Sequence, residues 1–262
     1  MIATLLIIDA MNLIRRIYAV QEKHHQQSQS VLNATTSTAC NALKKLINIH
    51  QPTHVICVFD SHAPSWRHQL YAQYKQGRKP IPEALKENLE NIQDSFYEMG
   101  IESLVTESDE ADDLIATLSA KMAKNGHKSI IVSTDKGFYQ LLDKQTLIYD
   151  YFQQSYTDAG RVLNKMSLPF DKLIDYWAIT GISSSAIKGV EGVGDKGALA
   201  LLHHYQSLQN ILACEVDEKD KRLMKVKNQQ SEALLAKQLV TLKTDIELGF
   251  NLQDLRYQTP SR

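Results

Sequence analysis

Cysteine is scarce in this 262-residue chain, with three in all, and tryptophan scarcer, with two. Cys40, Cys57 and Cys214 are scattered and lack metal-ligand spacing. That excludes a disulfide framework or thiolate zinc site and reads as free thiols in a reducing compartment. No apolar run approaches the roughly 20 residues that a membrane-crossing helix needs. The first run, IATLLIIDAMNL, meets Asp9 after a few residues and lacks the cationic start and cleavage site of a secretory signal. A cytoplasmic protein with no membrane partner is the expectation. An excess of one charge is missing too: 29 Lys and Arg against 30 Asp and Glu leave a formal net charge of −1. Any nucleic-acid footprint must therefore be local. The P-loop pattern G-x-x-x-x-G-K-[ST] is absent, so nothing suggests NTP hydrolysis.

What is present begins with three runs rich in Ile and Val: TLLIID (4–9), HVICVFD (54–60) and SIIVSTD (129–135). Each reads as a buried strand, and helix-patterned sequence separates them. That alternation predicts an α/β fold, a parallel-type central sheet covered by helices. TLIYDYF (146–152) offers a later strand. TACNALKKLINIHQP, PEALKENLENIQDSFYEMG and EADDLIATLSAKMAKNG read as amphipathic helices, stopped near Pro52, Gly100 and Gly126. The polar QEKHHQQSQS (21–30) reads as a surface loop or helix end, with His24 and His25 poorly placed to share a metal. After about residue 165 the pattern turns helical, in LPFDKLIDYWAITG and KGALALLHHYQSLQNIL. Only IELGF near the end offers another strand. Residues 1–165 are expected to form the α/β domain and 166–262 a smaller helical one. The C-terminal LQDLRYQTPSR reads equally as a tail or as a segment packed on the sheet.

All three strand-like runs end in aspartate: Asp9, Asp60 and Asp135. In a parallel sheet the carboxyl ends of the strands share one edge, where ligands bind. The helix start DEADDL adds Glu110, Asp112 and Asp113, of which Glu110 and Asp113 share a face. Plainer roles exist for each, since aspartates serve turns and acids suit a helix N-terminus. Neither role accounts for their arrival at one edge. Converging carboxylates repel unless a cation neutralises them. With oxygen donors and no neighbouring Cys or His, that ion is hard: Mg²⁺, with Mn²⁺ as a substitute. Such a crevice suits phosphoryl transfer.

In WRHQLYAQYKQGRKPIPEAL, Arg67, Lys75, Arg78 and Lys79 alternate with Trp66, Tyr71 and Tyr74. Cations interleaved with aromatics suit a strand's phosphates and exposed bases. The alternative is an amphipathic helix with Trp66, Leu70 and Tyr74 on its core face. A second basic cluster, Lys219, Lys221, Arg222, Lys225 and Lys227, is of the kind that most often is merely a solvated face.

TGISSSAIKGVEGVGDKG, from Thr180, holds five glycines, and such a loop lets a backbone approach a phosphate. Its GVGDKG satisfies the dinucleotide pattern G-x-G-x-x-G, with Glu215 and Asp217 about 20 residues on. The context is wrong for a nucleotide cofactor, because that fingerprint follows a strand and here a serine-rich turn after a helix precedes it.

Taken together, LLIIDAMNLIRR, VFDSHAPSWRHQLYAQYKQGRKP, DEADDLIATL, STDKGFYQLL and YWAITG…KGVEGVGDKGALALL resemble the 5′-nucleases or flap endonucleases. The resemblance spans nearly the whole chain, motif by motif in order, and is strongest to the short stand-alone bacterial form. It implies a PIN-like nuclease core, a helical arch over about 64–100, and a helix–hairpin–helix element. The implied activity is Mg²⁺-dependent cleavage of branched DNA with a 5′ single-stranded flap, near the junction. The first metal site would fall on Asp9, Asp60, Glu110, Asp112 and Asp113. Lys75 and Arg78 would meet the scissile phosphate, and Tyr74 would stack on a base. The backbone of Gly192, Val193, Gly194, Asp195, Lys196 and Gly197 would grip the duplex. By position, the carbonyls of Ile179, Thr180, Lys188, Val190 and Val193 would hold K⁺. A monomer is the expectation.

The chain departs from that pattern at the second metal site. Asp135 is kept, but Gly137 replaces the second acid of the Asp-x-Asp, and Ile182 and Ser185 replace the acid pair after TG. One tightly held ion is expected, with a second recruited through water, Asp135 and the DNA phosphate. The alternative reading is a catalytically weak or inactive binder of branched DNA. An RNA-cleaving PIN-like nuclease fits less well, because those domains lack the hairpin.

Overall fold

The computed structural model of the chain describes residues 2–61, 63–106, 108–166, 168–215 and 219–258. In chain order they form β1 (Thr4–Asp9), α1 (Ala10–His24), α2 (Ser28–His50), β2 (His54–Phe59), α3 (Trp66–Leu70), α4 (Glu83–Glu87) and α5 (Leu89–Tyr97). There follow β3 (Glu102–Val105), α6 (Ala111–Lys124), β4 (Lys128–Val132), β5 (Thr146–Asp150), β6 (Ser155–Tyr156) and α7 (Ala159–Met166). The remainder is α8 (Leu173–Thr180), the two-residue β7 (Gly181–Ile182) and β8 (Ile187–Lys188), α9 (Asp195–Tyr205), α10 (Leu208–Ala213), α11 (Lys221–Asn228) and α12 (Gln230–Val240). They gather into two compact units. One comprises Met1–Ala63, Pro80–Thr157 and Lys243–Arg262, the other Pro64–Lys79 and Asp158–Leu242. No described helix is long and apolar enough to cross a membrane, and the three cysteines are free.

The first unit is built on a sheet of order β3-β2-β1-β4-β5-β6. Its first five strands are parallel and β6 is antiparallel to β5. The unbroken apolar run of β1 follows from coverage on both faces: Leu5, Leu6, Ile7 and Ile8 are all fully buried. Leu6, Ile8, Val55, Cys57 and Phe59 share one cluster with Leu13 and Ile14 of α1, Leu43 and Leu46 of α2, and Ile92 and Phe96 of α5. Helix α6 packs on β1, β2 and β4, burying Leu114, Ile115, Leu118 and Met122. Each such side chain contributes roughly 1.5–3 kcal/mol. The chain runs outward from β1 through β2 to β3, then returns to lay β4 on the other side of β1. The reversal lies between β1 and β4, the place where open α/β sheets bind ligands.

Several elements differ from the sequence expectations. β3 (ESLV) has no strong apolar run and escapes pattern reading as a short, half-exposed edge strand. β4 ends at Val132, three residues before Asp135, because Asp135 caps a following 3₁₀ turn by accepting the Gly137 N–H at 2.7 Å. The single helix expected after Pro82 is two, joined at Asn88, whose amide reaches Thr36 Oγ1 of α2 at 3.3 Å. IELGF is not a strand. Side chains of α6 take up the backbone of this stretch: Asp113 accepts the Lys243 N–H at 2.9 Å, while Thr117 Oγ1 donates to Lys243 C=O at 3.3 Å and accepts Ile246 N–H at 3.4 Å. The C-terminal segment packs on the sheet unit, with Tyr257 N–H on Thr53 C=O at 3.0 Å and Arg256 bridged to His54.

In the second unit α8 packs on α9, α10 and α12. Gly181 ends α8 at φ +74°, in the region that favours glycine, and opens the β7–β8 pairing of Gly181 with Lys188 and Ile182 with Ile187. A Cβ at Gly189 would run into Ile179 C=O and Gly181 N–H. Only glycine lets the chain pass that close. Residues 64–79 belong to this unit through Arg67, which is 2% exposed. Its guanidinium donates from Nε to Leu239 C=O at 2.8 Å and from Nη2 to Thr241 C=O at 3.0 Å, and lies over Trp66 at 4.3 Å.

Candidate active site and nucleic-acid interface

Asp9 is the last residue of β1 and the N-cap of α1. Its Oδ1 accepts the Asn12 N–H at 3.2 Å and its Oδ2 the Ser133 hydroxyl at 2.7 Å. Asn12 in turn accepts from Thr134 N–H at 3.2 Å and Thr134 Oγ1 at 3.0 Å, and Ser133 Oγ accepts the Asp135 N–H at 3.0 Å. Asn12, Ser133 and Thr134 thus lace the ends of β1 and β4 across the sheet's reversal point. Sequence reasoning missed these residues, although an Asn three positions after an N-cap Asp in DAMN was a visible signal. Burial above all, and then the charges of Asp60 and Asp135, push the Asp9 carboxyl up to about 7. Asp60 and Asp135 therefore lie within electrostatic reach of Asp9.

Asp60 ties the end of β2 to α6 by accepting the Ala111 N–H at 2.7 Å. Glu110 is the N-cap of α6 and is buried, while Asp112 in its first turn is half-buried. Asp113 is fully buried and its Oδ1 accepts the Lys243 N–H, so this acid holds the C-terminal segment against α6. Among the described residues, no group of three or more His, Cys, Asp or Glu is already placed to hold a metal ion. The donor chemistry, carboxylate oxygens alone, nonetheless fits a hard divalent cation, and the repulsion felt at Asp9 is what a cation would relieve.

The basic stretch is divided by the fold. Arg67 is a buried structural cation. Helix α3 ends at Leu70, so the helical wheel drawn through Trp66, Leu70 and Tyr74 fails beyond that point. Leu70 is 40% exposed and Tyr74 only 6%, with the His68 ring edge-on at 5.2 Å. Lys75 Nζ lies over the Tyr74 ring at 5.1 Å. This tyrosine supports Lys75 and offers no open face to a base. Lys75 has φ +55°, uncommon for a side-chain-bearing residue, and its N–H is fixed on Ser185 C=O at 2.8 Å. Such strain clusters at functional sites. Arg78 and Lys79 are exposed.

In the glycine-rich loop Gly192, Gly194, Asp195 and Lys196 are exposed, and α9 starts at Asp195 with no side chain capping it. The first N–H groups of a helix have no intrahelical partner and, with the macrodipole, suit an anion. Burial foremost, then a hydrogen bond to the Asp195 carboxylate, pushes the Tyr176 phenol up to about 12. The hairpin below closes on itself: Ile179 C=O accepts Val190 N–H at 2.8 Å and Val190 C=O accepts Val193 N–H at 3.1 Å. In the second basic cluster Lys227 donates to Leu212 C=O at 2.9 Å and Arg222 pairs with Asp220 at 3.2 Å. Asp217, one of the acids beyond the loop, lies outside the described residues.

Known proteins agree with this architecture. Residues 4–167 match the N-terminal resolvase-like domain of 5′-3′ exonucleases, and residues 168–262 match their C-terminal SAM fold. The chain belongs to the 5′-3′ exonuclease family and is a nuclease. Flap endonuclease Xni of Psychromonas ingrahamii is 67% identical over 257 residues, 98% of either chain. The protein of that name from Aeromonas salmonicida is 48% identical over 254 residues, 97% of this chain and 96% of its own. Among solved structures, a bacteriophage T5 flap endonuclease in a pseudo-enzyme-product complex with DNA and metal ions superposes with a TM-score of 0.74. It is 18% identical and covers 90% of this chain and 88% of its own, a likeness of fold.

Proposed function

We propose that the chain is a Mg²⁺-dependent, structure-specific 5′ flap endonuclease, cutting the phosphodiester near the junction of branched DNA with a 5′ single-stranded flap. Membership of the nuclease family and two relatives named as flap endonucleases support the reading. The observation that carries it is the Asp9 carboxyl at the reversal point of the sheet, raised first by burial and then by the charges of Asp60 and Asp135. Asp9, Asp60, Glu110 and Asp112 would hold the tight ion and Asp135 would help recruit the second, with Asp113 bracing the helix at whose start Glu110 and Asp112 lie. When bound, Mg²⁺ would lower the pKa of water and neutralise charge on the phosphate. Lys75 and Arg78 neutralise charge on the scissile phosphate. The N–H groups of Gly192, Gly194, Asp195 and Lys196 receive a duplex phosphate, those of Val193 and Gly197 being held by Val190 C=O and Gly194 C=O, and Lys196 adds a charge. The carbonyls of Ile179, Thr180, Lys188, Val190 and Val193 are the K⁺ ligands of this reading. The enzyme acts as a cytoplasmic monomer with no nucleotide cofactor.

Gly137, Ile182 and Ser185 bring no carboxylate to the second metal position, which favours one tight ion and a second recruited with DNA. The same three residues support a second reading, a binder of branched DNA that has lost catalysis. Cleavage of a double-flap DNA across a Mg²⁺ titration, with Asp9→Ala as the blank, separates them. A cut near the junction that vanishes in the variant is expected. Retained flap binding with no cleavage at any Mg²⁺ concentration would leave only the binder.

A further inference from the structure

We propose that Gln229 and Lys225 are positioning residues that hold the loop Glu191–Gly194 in the conformation that receives a DNA phosphate. The inference rests on the nucleic-acid reading of that loop given above. The loop has no regular structure and turns at Gly192, φ +76°. Left alone, such a segment samples many conformations, and ordering it on contact with DNA costs affinity.

Gln229 stands at the joint of two helices, C-cap of α11 and N-cap of α12. Its amide meets both backbone groups of Glu191. Oε1 accepts the Glu191 N–H at 2.7 Å and Nε2 donates to the Glu191 C=O at 3.2 Å. A primary amide carries that donor and acceptor together. A carboxylate lacks the donor and an ammonium lacks the acceptor. Lys225, one turn earlier on α11, donates from Nζ to Gly192 C=O at 3.1 Å. Val193 N–H is returned to Val190 C=O. The polar groups of Glu191 and the carbonyl of Gly192 are therefore tied back to α11. Among the described residues the N–H groups of Asp195 and Lys196, at the start of α9, have no backbone partner and are left for a ligand.

All three contacts are solvent-exposed, and exposed hydrogen bonds add little to global stability. Their consequence falls on binding, as preorganisation.

The test compares wild type, Gln229→Ala, Lys225→Met, Lys225→Arg and Lys196→Ala on a 5′-flap DNA. Kd is read by fluorescence anisotropy across a salt titration, with KM, kcat and the melting temperature alongside. Gln229→Ala should raise Kd and KM roughly 3- to 10-fold, the worth of about one hydrogen bond. That loss should fall on KM and not kcat, at an unshifted melting temperature. The salt slope should hold, because no charge is removed. Lys225→Met should raise Kd similarly and Lys225→Arg should restore it. Wild-type Kd in Gln229→Ala or in Lys225→Met overturns that residue's role, and so does a loss that tracks a lowered melting temperature. If Lys196→Ala alone weakens binding, only the clamp fails. If no variant weakens it, the nucleic-acid reading of the loop fails.

Discussion

Arg67 is buried against the last turn of α12, its Nε 2.8 Å from the carbonyl of Leu239. The last carbonyls of a helix lack intrahelical partners and bear the negative end of its dipole, so a guanidinium there answers both needs. Arg67→Ala would strand those carbonyls and is expected to cost about 2–4 kcal/mol. Arg67→Lys should rescue little of it, because an ammonium cannot reproduce the fork or stack on Trp66. A denaturant titration decides; an unchanged midpoint in Arg67→Ala would refute the capping role.

Gly189 and Gly194 are expected to part company on substitution. A methyl group at Gly189 meets the backbone of Ile179 and Gly181, whereas at Gly194 it meets nothing within 4 Å. Gly189→Ala should lower the melting temperature markedly. Gly194→Ala should melt as wild type yet bind duplex DNA more weakly, because on the proposed reading the methyl would stand where a phosphate approaches. Wild-type affinity in Gly194→Ala would place the DNA elsewhere.

Divalent metal should stabilise the protein through Asp9. A ligand that binds only the folded state raises the melting temperature with concentration, and a cation beside Asp9 would offset the charges of Asp60 and Asp135 that the carboxyl feels there. Differential scanning fluorimetry is expected to show a Mg²⁺-dependent rise in wild type that Asp9→Asn loses. Equal shifts in both would remove Asp9 from the ion's ligands.

His50 should make stability fall in mild acid. Its Nδ1 pairs with Tyr156 Oη at 2.8 Å, its ring meets Tyr149 edge-on at 4.5 Å, and its Nε2 is buried with no hydrogen-bond partner among the described residues. Burial lowers its pKa from the ordinary 6.5. Below 6.5 the unfolded chain takes up a proton that the folded one resists. Stability that is full above pH 6.5 is therefore lost as pH falls toward the folded value. Melting between pH 7.5 and 5.5 should fall less in His50→Gln than in wild type. Parallel profiles would acquit His50.

Much of the site was legible because it rests on short-range pattern. Apolar runs of strand length, each followed by helix, require a parallel sheet, and a parallel sheet brings the ends of β1, β2 and β4 to one edge. Asp9, Asp60 and the neighbourhood of Asp135 follow from that alone. The glycine loop was equally legible, since close backbone approach demands glycine locally. Asn12, Ser133 and Thr134 were not, because their hydrogen bonds exist only once β4 lies beside β1.

By itself, then, the sequence determined the α/β class, the acidic edge and the glycine-rich turn after α8, all set by residue period and local backbone freedom. The tertiary structure alone decided the uses of Arg67, Tyr74, Asp113 and Gln229. Arg67 finds its carbonyl acceptor 172 residues away, and Asp113 its N–H donor 130 residues away. A charged or aromatic side chain carries no mark of such a partner until folding removes both from water, where an unpaired polar group would be costly.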